Sequence, residues 1–169
     1  YQFDYCTEDR DDAMGMLECY NWGYRDPSYV KALDAGWHMM PTATEDDHYG
    51  DWISPLGIRT VLLAPSLTRE DLIEALRARR CWATTGERIE LALDVDGTPM
   101  GGEMEALLDG HVQVTVSVQG TEDPYEIELL RNGEVVERAR CGTLVCRLVA
   151  DVAVRGIGGY HLLCDARDE

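Results

Sequence analysis

"YEIELLRNGEVVERA", residues 125–139, reads as two short strands joined by Asn132-Gly133. An Asn-Gly pair tolerates the positive φ angles of a two-residue turn, and between alternating apolar residues it is the strongest short-range hairpin signal. The same period of two recurs on both sides of this hairpin. "IELALDV" (89–95) sets Ile89, Leu91, Leu93 and Val95 on one face. "HVQVTVSVQ" (111–119) does so with Val112, Val114, Val116 and Val118. "LVCRLVA" (144–150) and "GYHLLCD" (159–165) continue the series. At least six strands and no helix in under 80 residues predict an antiparallel, immunoglobulin-like β-sandwich. The absence of a Cys…Trp…Cys core argues against an antibody-type domain.

Before about residue 80 the pattern is different. "MGMLECY" (14–20) reads as a buried strand, and "DPSYVKALDAG" (26–36) as a helix. Asp26 suits its cap, Pro27 its first position, and Gly36 a left-handed stop. "WHMMPTAT" (37–44) reads as a strand interrupted by Pro41, and "IRTVLLA" (58–64) as another. "SLTREDLIEALRARR" (66–80) is the strongest helix, with Thr68 and Asp71 in capping-box spacing and Leu72, Ile73 and Leu76 on one stripe. Strands alternating with helices predict an α/β layer. The join at "CWATTGERI" (81–89) contains no long linker, and Thr84, Thr85 and Gly86 read as a structural turn between the parts. The expected domains are 1–86 and 87–169.

The chemistry concentrates in "TATEDDHYGDW" (42–52), where four carboxylates and one histidine share eleven residues. The stretch reads either as an acidic surface loop or as half of a metal site. A carboxylate oxygen and a neutral imidazole are standard ligands for divalent first-row ions. On an extended segment, alternate residues such as Asp46 and His48 point the same way. Asp51 reads as an outer partner for the His48 ring or as an exposed loop carboxylate. Glu18 and Asn21 fall at a strand's carboxyl end, where barrel enzymes place functional groups; Asn21 reads as pocket-lining and Glu18 as a cap or ion pair. Arg59 reads as a surface ion pair or a phosphate contact. Trp22, Trp37, Trp52 and Trp82 read as packing. No Gly-x-Ser-x-Gly motif or Gly-rich phosphate loop is present.

The net charge of −17 opposes nucleic acid and anionic membranes, whose recognition depends on Lys and Arg. Such a protein handles a phosphate ester only where cations invert the local field. No apolar run reaches membrane-span length and no signal peptide is evident. The six cysteines match no zinc or redox spacing; Cys141 and Cys146 are near enough in sequence to bridge, but the reading favours reduced thiols and a cytoplasmic setting.

Residues 18–97 resemble the PHP (polymerase and histidinol phosphatase) family, in the bacterial branch where a PHP barrel carries a C-terminal β-sandwich. Four pieces carry the resemblance: "ECYN" (18–21), "ALDAGWHMMPTATEDDH" (32–48), "LTREDLIEALRARRCWATTGERIEL" (67–91) and "DVDGTPMGG" (94–102). The resemblance implies a distorted (β/α) barrel whose zinc, manganese or iron ions bind a phosphate ester and activate water. Asp46 and His48 match the family's late Asp-x-His ligands, with Asp47 at the variable position between them. Glu45 stands where Ser is usual, and Thr44 where Gly is common. The family's early His-x-His ligands have no counterpart here.

The resemblance therefore implies an α+β chain: a partial PHP-type barrel segment followed by the sandwich, as the C-terminal part of a longer metallohydrolase. The metal would belong to the parent protein, with none required in this chain. The chain alone would be inactive, with no catalytic residue of its own assigned. The alternative is a non-catalytic binding module built around the sandwich. A third expectation is homo-oligomerisation through exposed strand edges.

Overall fold

The computed structural model describes residues 3–21, 24–25, 27–50, 57–86, 88–105, 109–120, 125–154 and 162–168, with backbone alone at 24–25 and 162–168. The chain is a β-rich α+β protein that divides into two compact units, Tyr1–Glu87 and Arg88–Glu169. Among the described residues no helix is long and apolar enough to cross a membrane.

The first unit contains α1 (Glu8–Ala13), β1 (Met16–Asn21), β2 (Tyr24–Arg25), α2 (Ser28–Asp34), β3 (Met40–Thr44), β4 (Arg59–Leu62), α3 (Arg69–Arg77) and β5 (Cys81–Thr84). β1 is the middle strand of a three-stranded sheet, antiparallel to β2 and parallel to β3. β4 and β5 form a separate antiparallel pair. Among the described residues these strands form two small sheets and no closed barrel.

Proline 41 explains part of this division. It lies within β3, opposite Leu17, and does not interrupt the strand. The Ala43 N–H donates to Thr60 Oγ1 (3.1 Å), and the same hydroxyl donates back to the Ala43 carbonyl (3.3 Å). Residues two apart direct their backbone groups to the same edge, so Pro41 also faces the β4 side, where it has no N–H to offer. A ladder there would lack a donor, and proline is confined to such open edges. The Thr60 hydroxyl and the Cys81 thiol, donating to the Pro41 carbonyl (3.8 Å), join the two sheets instead.

Helix α2 stops where its sequence directs. Gly36 has φ +88°, and the Trp37 and Gly36 N–H groups donate to the Ala32 and Leu33 carbonyls (3.1 and 3.0 Å). These bonds close a Schellman cap. Pro27 takes the N-cap position of α2, and Asp26 lies outside the described residues. Thr68 caps α3 by accepting from the Asp71 N–H (3.3 Å). The same helix ends in a second Schellman cap, but Arg79 holds the left-handed position at φ +55°. A side chain there costs about 1 kcal/mol relative to glycine. Arg79→Gly is therefore expected to raise stability by about 0.5–1 kcal/mol in urea melts, offset in part by loss of the Arg79 charge beside Asp11.

The core of this unit is Ala32, Met39, Met40, Ala43, Ala75, Cys81 and Trp82. Trp37 is half-buried and donates its indole N–H to the Phe3 carbonyl (2.9 Å). Trp22 and Trp52 lie outside the described residues.

The second unit contains β6 (Glu90–Val95), β7 (Thr98–Pro99), β8 (His111–Gln119), β9 (Tyr125–Arg131), β10 (Glu134–Cys141), β11 (Val145–Ala153) and β12 (Leu162–Asp168). They form two antiparallel sheets, ordered β11-β8-β6-β7 and β10-β9-β12. The buried rows are those the alternation predicts: Val112, Val114, Val116 and Val118 on β8, Leu148, Ala150 and Val152 on β11, and Tyr125, Ile127 and Leu129 on β9. Asn132 (φ +49°) and Gly133 (φ +77°) make the expected turn between β9 and β10, and Asp96-Gly97 repeats it between β6 and β7.

On the opposite face of β9, Glu128 is buried and meets Arg138 across the strand pair at 2.9 Å. Cys141 and Cys146 form a disulfide with Cα atoms 5.9 Å apart, which corrects the expectation of reduced thiols for this pair. The β10–β11 turn brings the two positions together. Cys6, Cys19 and Cys81 are not in disulfides.

Candidate metal centre

The parallel pairing of β1 and β3 brings the carboxyl ends of both strands side by side, with Asn21 in register with Thr44. Glu18 ties them together. One carboxylate oxygen accepts from the Asn21 amide (3.0 Å), and the other accepts from the Thr44 hydroxyl. Glu18 thus acts as a cross-strand tie, and the Asn21 amide is engaged with it.

The chain then leaves β3 and turns. Asp46 adopts φ +46°, a left-handed conformation that short polar side chains tolerate. The Asp47 carboxylate accepts from the Tyr49 N–H (2.7 Å), an Asx-type local turn. With the backbone bent in this way, Asp46 Oδ1 and His48 Nε2 stand 3.1 Å apart on largely exposed side chains. The two expected ligands therefore do meet. They do so through a kinked loop, where the sequence reading assumed an extended segment with alternating side chains.

Two ligands about 2.0–2.1 Å from a tetrahedral cation lie roughly 3.3 Å apart. The 3.1 Å Asp46–His48 contact is an exposed ion pair or hydrogen bond; its spacing is also near that of two ligands on one cation, and its donor types are those zinc, manganese or iron take. The second Asp47 carboxylate oxygen is buried without a hydrogen-bond partner among the described residues. Even so, no group of three His, Cys, Asp or Glu that could hold a metal occurs among the described residues. Asp46 and His48 are two side chains, where a catalytic zinc normally has three protein ligands. Asp51 lies outside the described residues. Arg59 donates to the nearby Gly57 carbonyl (2.7 Å), a local tie.

Sequence reasoning missed a second polar cluster, at the amino end of β3. Asp11 accepts from the His38 N–H and pairs with His38 Nδ1, both at 2.7 Å. Partial desolvation opposes ionisation of Asp11, but the His38 N–H, its ring and the Arg79 charge outweigh it and hold the carboxyl below its ordinary value. The partners are 27 residues apart, so no local motif could have revealed them.

The buried thiol and phenol are poor nucleophiles. Burial, with Cys19 nearby, pushes the Cys81 thiol up to about 11. Burial also raises the Tyr29 phenol, with Cys19 and Cys81 adding to it, and the hydroxyl donates to the Met39 carbonyl (3.0 Å).

No protein-family model matches the chain. Three uncharacterized Chlamydia proteins are similar to it over 81 residues, at 40% identity in Chlamydia pneumoniae, 35% in Chlamydia trachomatis serovar D and 31% in Chlamydia muridarum. Each similarity covers 46% of this chain and 13% of the relative, so the chain spans only a small part of the curated relatives it matches. A crystal structure of a two-domain protein containing a predicted PHP-like metal-dependent phosphoesterase, from Bacteroides vulgatus, is weakly similar. That similarity covers 89% of this chain and 47% of the other, at 16% identity and a TM-score of 0.41.

Proposed function

We propose that the chain supplies two ligands, Asp46 and His48, to a divalent metal centre in a PHP-type phosphoesterase that hydrolyses a small phosphate ester. The observation that carries this reading is the 3.1 Å approach of Asp46 Oδ1 to His48 Nε2 just beyond the carboxyl end of a parallel strand. Barrel-type enzymes concentrate their chemistry at that end of the sheet. The resemblance of residues 32–48 and 67–91 to the family's motifs supports the same assignment.

A bound divalent ion would supply Lewis acidity and an activated water. The protein's part is to hold the ligands. Glu18, bonded to Asn21 and Thr44, fixes the ends of β1 and β3, and the Asp47 turn directs Asp46 toward His48. The net charge of −17 makes a cation necessary if an anionic ester is to approach.

Metal content and hydrolysis in the full gene product test the reading, with Asp46→Ala and His48→Ala compared with the wild type. Each variant is expected to lose bound zinc or manganese. Each should also lower kcat/KM on p-nitrophenyl phosphate more than about a hundredfold, beyond the roughly 10–100-fold that outer-shell partners contribute. Unchanged metal stoichiometry in both variants would refute the assignment.

A further inference from the structure

Strand β11 ends its sheet. It pairs with β8 on one side, and among the described residues no strand pairs with its other side. The Val154 N–H donates to the Gly110 carbonyl (2.9 Å), and the Gly120 N–H donates to the Leu144 carbonyl (3.0 Å). Even-numbered residues of β11 therefore face β8. By the period of two, Val145, Arg147, Val149, Asp151 and Ala153 turn their backbone groups to the open edge.

Two of those carbonyls are already engaged. The Thr143 hydroxyl donates to the Val145 carbonyl, and Arg131 Nη1 donates to the Ala153 carbonyl, both at 2.8 Å. The two bonded positions are equally distant from Val149. The window between them, Arg147 to Asp151, is centred on an exposed valine with a cation on one side and an anion on the other.

We infer that this window is a self-recognition edge, on which a second copy of the chain docks antiparallel with the two-fold axis at Val149. In that register Val149 meets its own counterpart, and Arg147 of each copy faces Asp151 of the other. Each opposed pair exchanges both of its backbone hydrogen bonds. The two sheets then join into one continuous sheet across the axis.

The charges select the register. Moving the axis to Arg147 or Asp151 sets like charges opposite each other, which destabilises a strand pair. The intermediate registers pair neither charge with its opposite. A single-sign edge would block pairing, as natural edge strands commonly do; this edge is self-complementary. Asp151 also lies 3.2 Å from His111 Nδ1 on the neighbouring strand, and both side chains are mostly exposed. The carboxylate therefore keeps an oxygen for Arg147 of the second copy.

Sedimentation equilibrium over a concentration series, in about 0.15 M salt to screen the net negative charge, tests the inference. The wild-type chain is expected to dimerise with concentration. R147D and D151R, made singly, should each weaken dimerisation by about tenfold or more, because each turns two attractive pairs repulsive. The R147D/D151R double variant restores opposite charges and should recover most of the wild-type affinity. Val149→Pro removes an edge N–H that no described strand pairs with, so it should abolish dimerisation with circular dichroism and melting temperature nearly unchanged. A wild-type chain monomeric to about 1 mM would overturn the inference. So would single swaps that dimerise as the wild type does, or a double variant that fails to recover.

Discussion

Gly120→Ala is expected to be the most damaging single-methyl substitution in the second unit. Gly120 has φ +137°, a conformation that L side chains rarely adopt. A Cβ there would lie 2.2 Å from the Arg88 carbonyl oxygen and 3.1 Å from Ile89 Cα. Both are backbone atoms, so no rotamer change relieves the clash. The Gly120 N–H also donates to the Leu144 carbonyl (3.0 Å), which fixes the residue where the chain enters β6, leaves β8 and approaches β11. Overpacking and backbone strain together should cost about 3 kcal/mol or more. The melting temperature should fall by more than about 10 °C. A melt within a few degrees of wild type would mean that residues 88–89 do not press against Gly120.

Ile127→Ala is the second large effect. Ile127 is fully buried on β9, the middle strand of its sheet. Its partners in register are Ala139 on β10 and Ala166 on β12. The Ala139 side chain is a single methyl and cannot move into the space that truncation would open. The loss should therefore fall in the upper part of the usual range for such changes, about 3–5 kcal/mol in urea titrations. Ile127→Val, which removes one methylene, should cost only about 0.5–1.5 kcal/mol. Near-equal losses in the two variants would show that the site is constrained by shape and not by volume.

Much of the second unit was legible because its signals are local. The Val112–Val118 alternation, the Asn132-Gly133 turn and the buried face of β9 each follow from residues close together in the chain. The Gly36 stop of α2 and the Thr68 cap of α3 were legible for the same reason. Strand β5 was not. "CWAT" is a four-residue run, and its partner β4 lies across an intervening helix, so it was read as part of a connector. The barrel expectation came from resemblance, and no local pattern foretold the split into two small sheets beside Pro41. At the candidate metal centre the pairing of Asp46 with His48 was expected, but the left-handed bend that produces it was not. The Asp11–His38 contact depends wholly on tertiary structure.

The missing proton on the Pro41 nitrogen has a mechanical consequence. Between β3 and the β4–β5 pair, the Thr60 hydroxyl and the Cys81 thiol bond where a ladder would place amides, and buried Met40, Ala43, Cys81 and Trp82 supply apolar packing. That side of β3 is therefore held by side-chain bonds and apolar packing, while its carboxyl end, from which Asp46 and His48 follow, is anchored on the other side to β1 through Glu18.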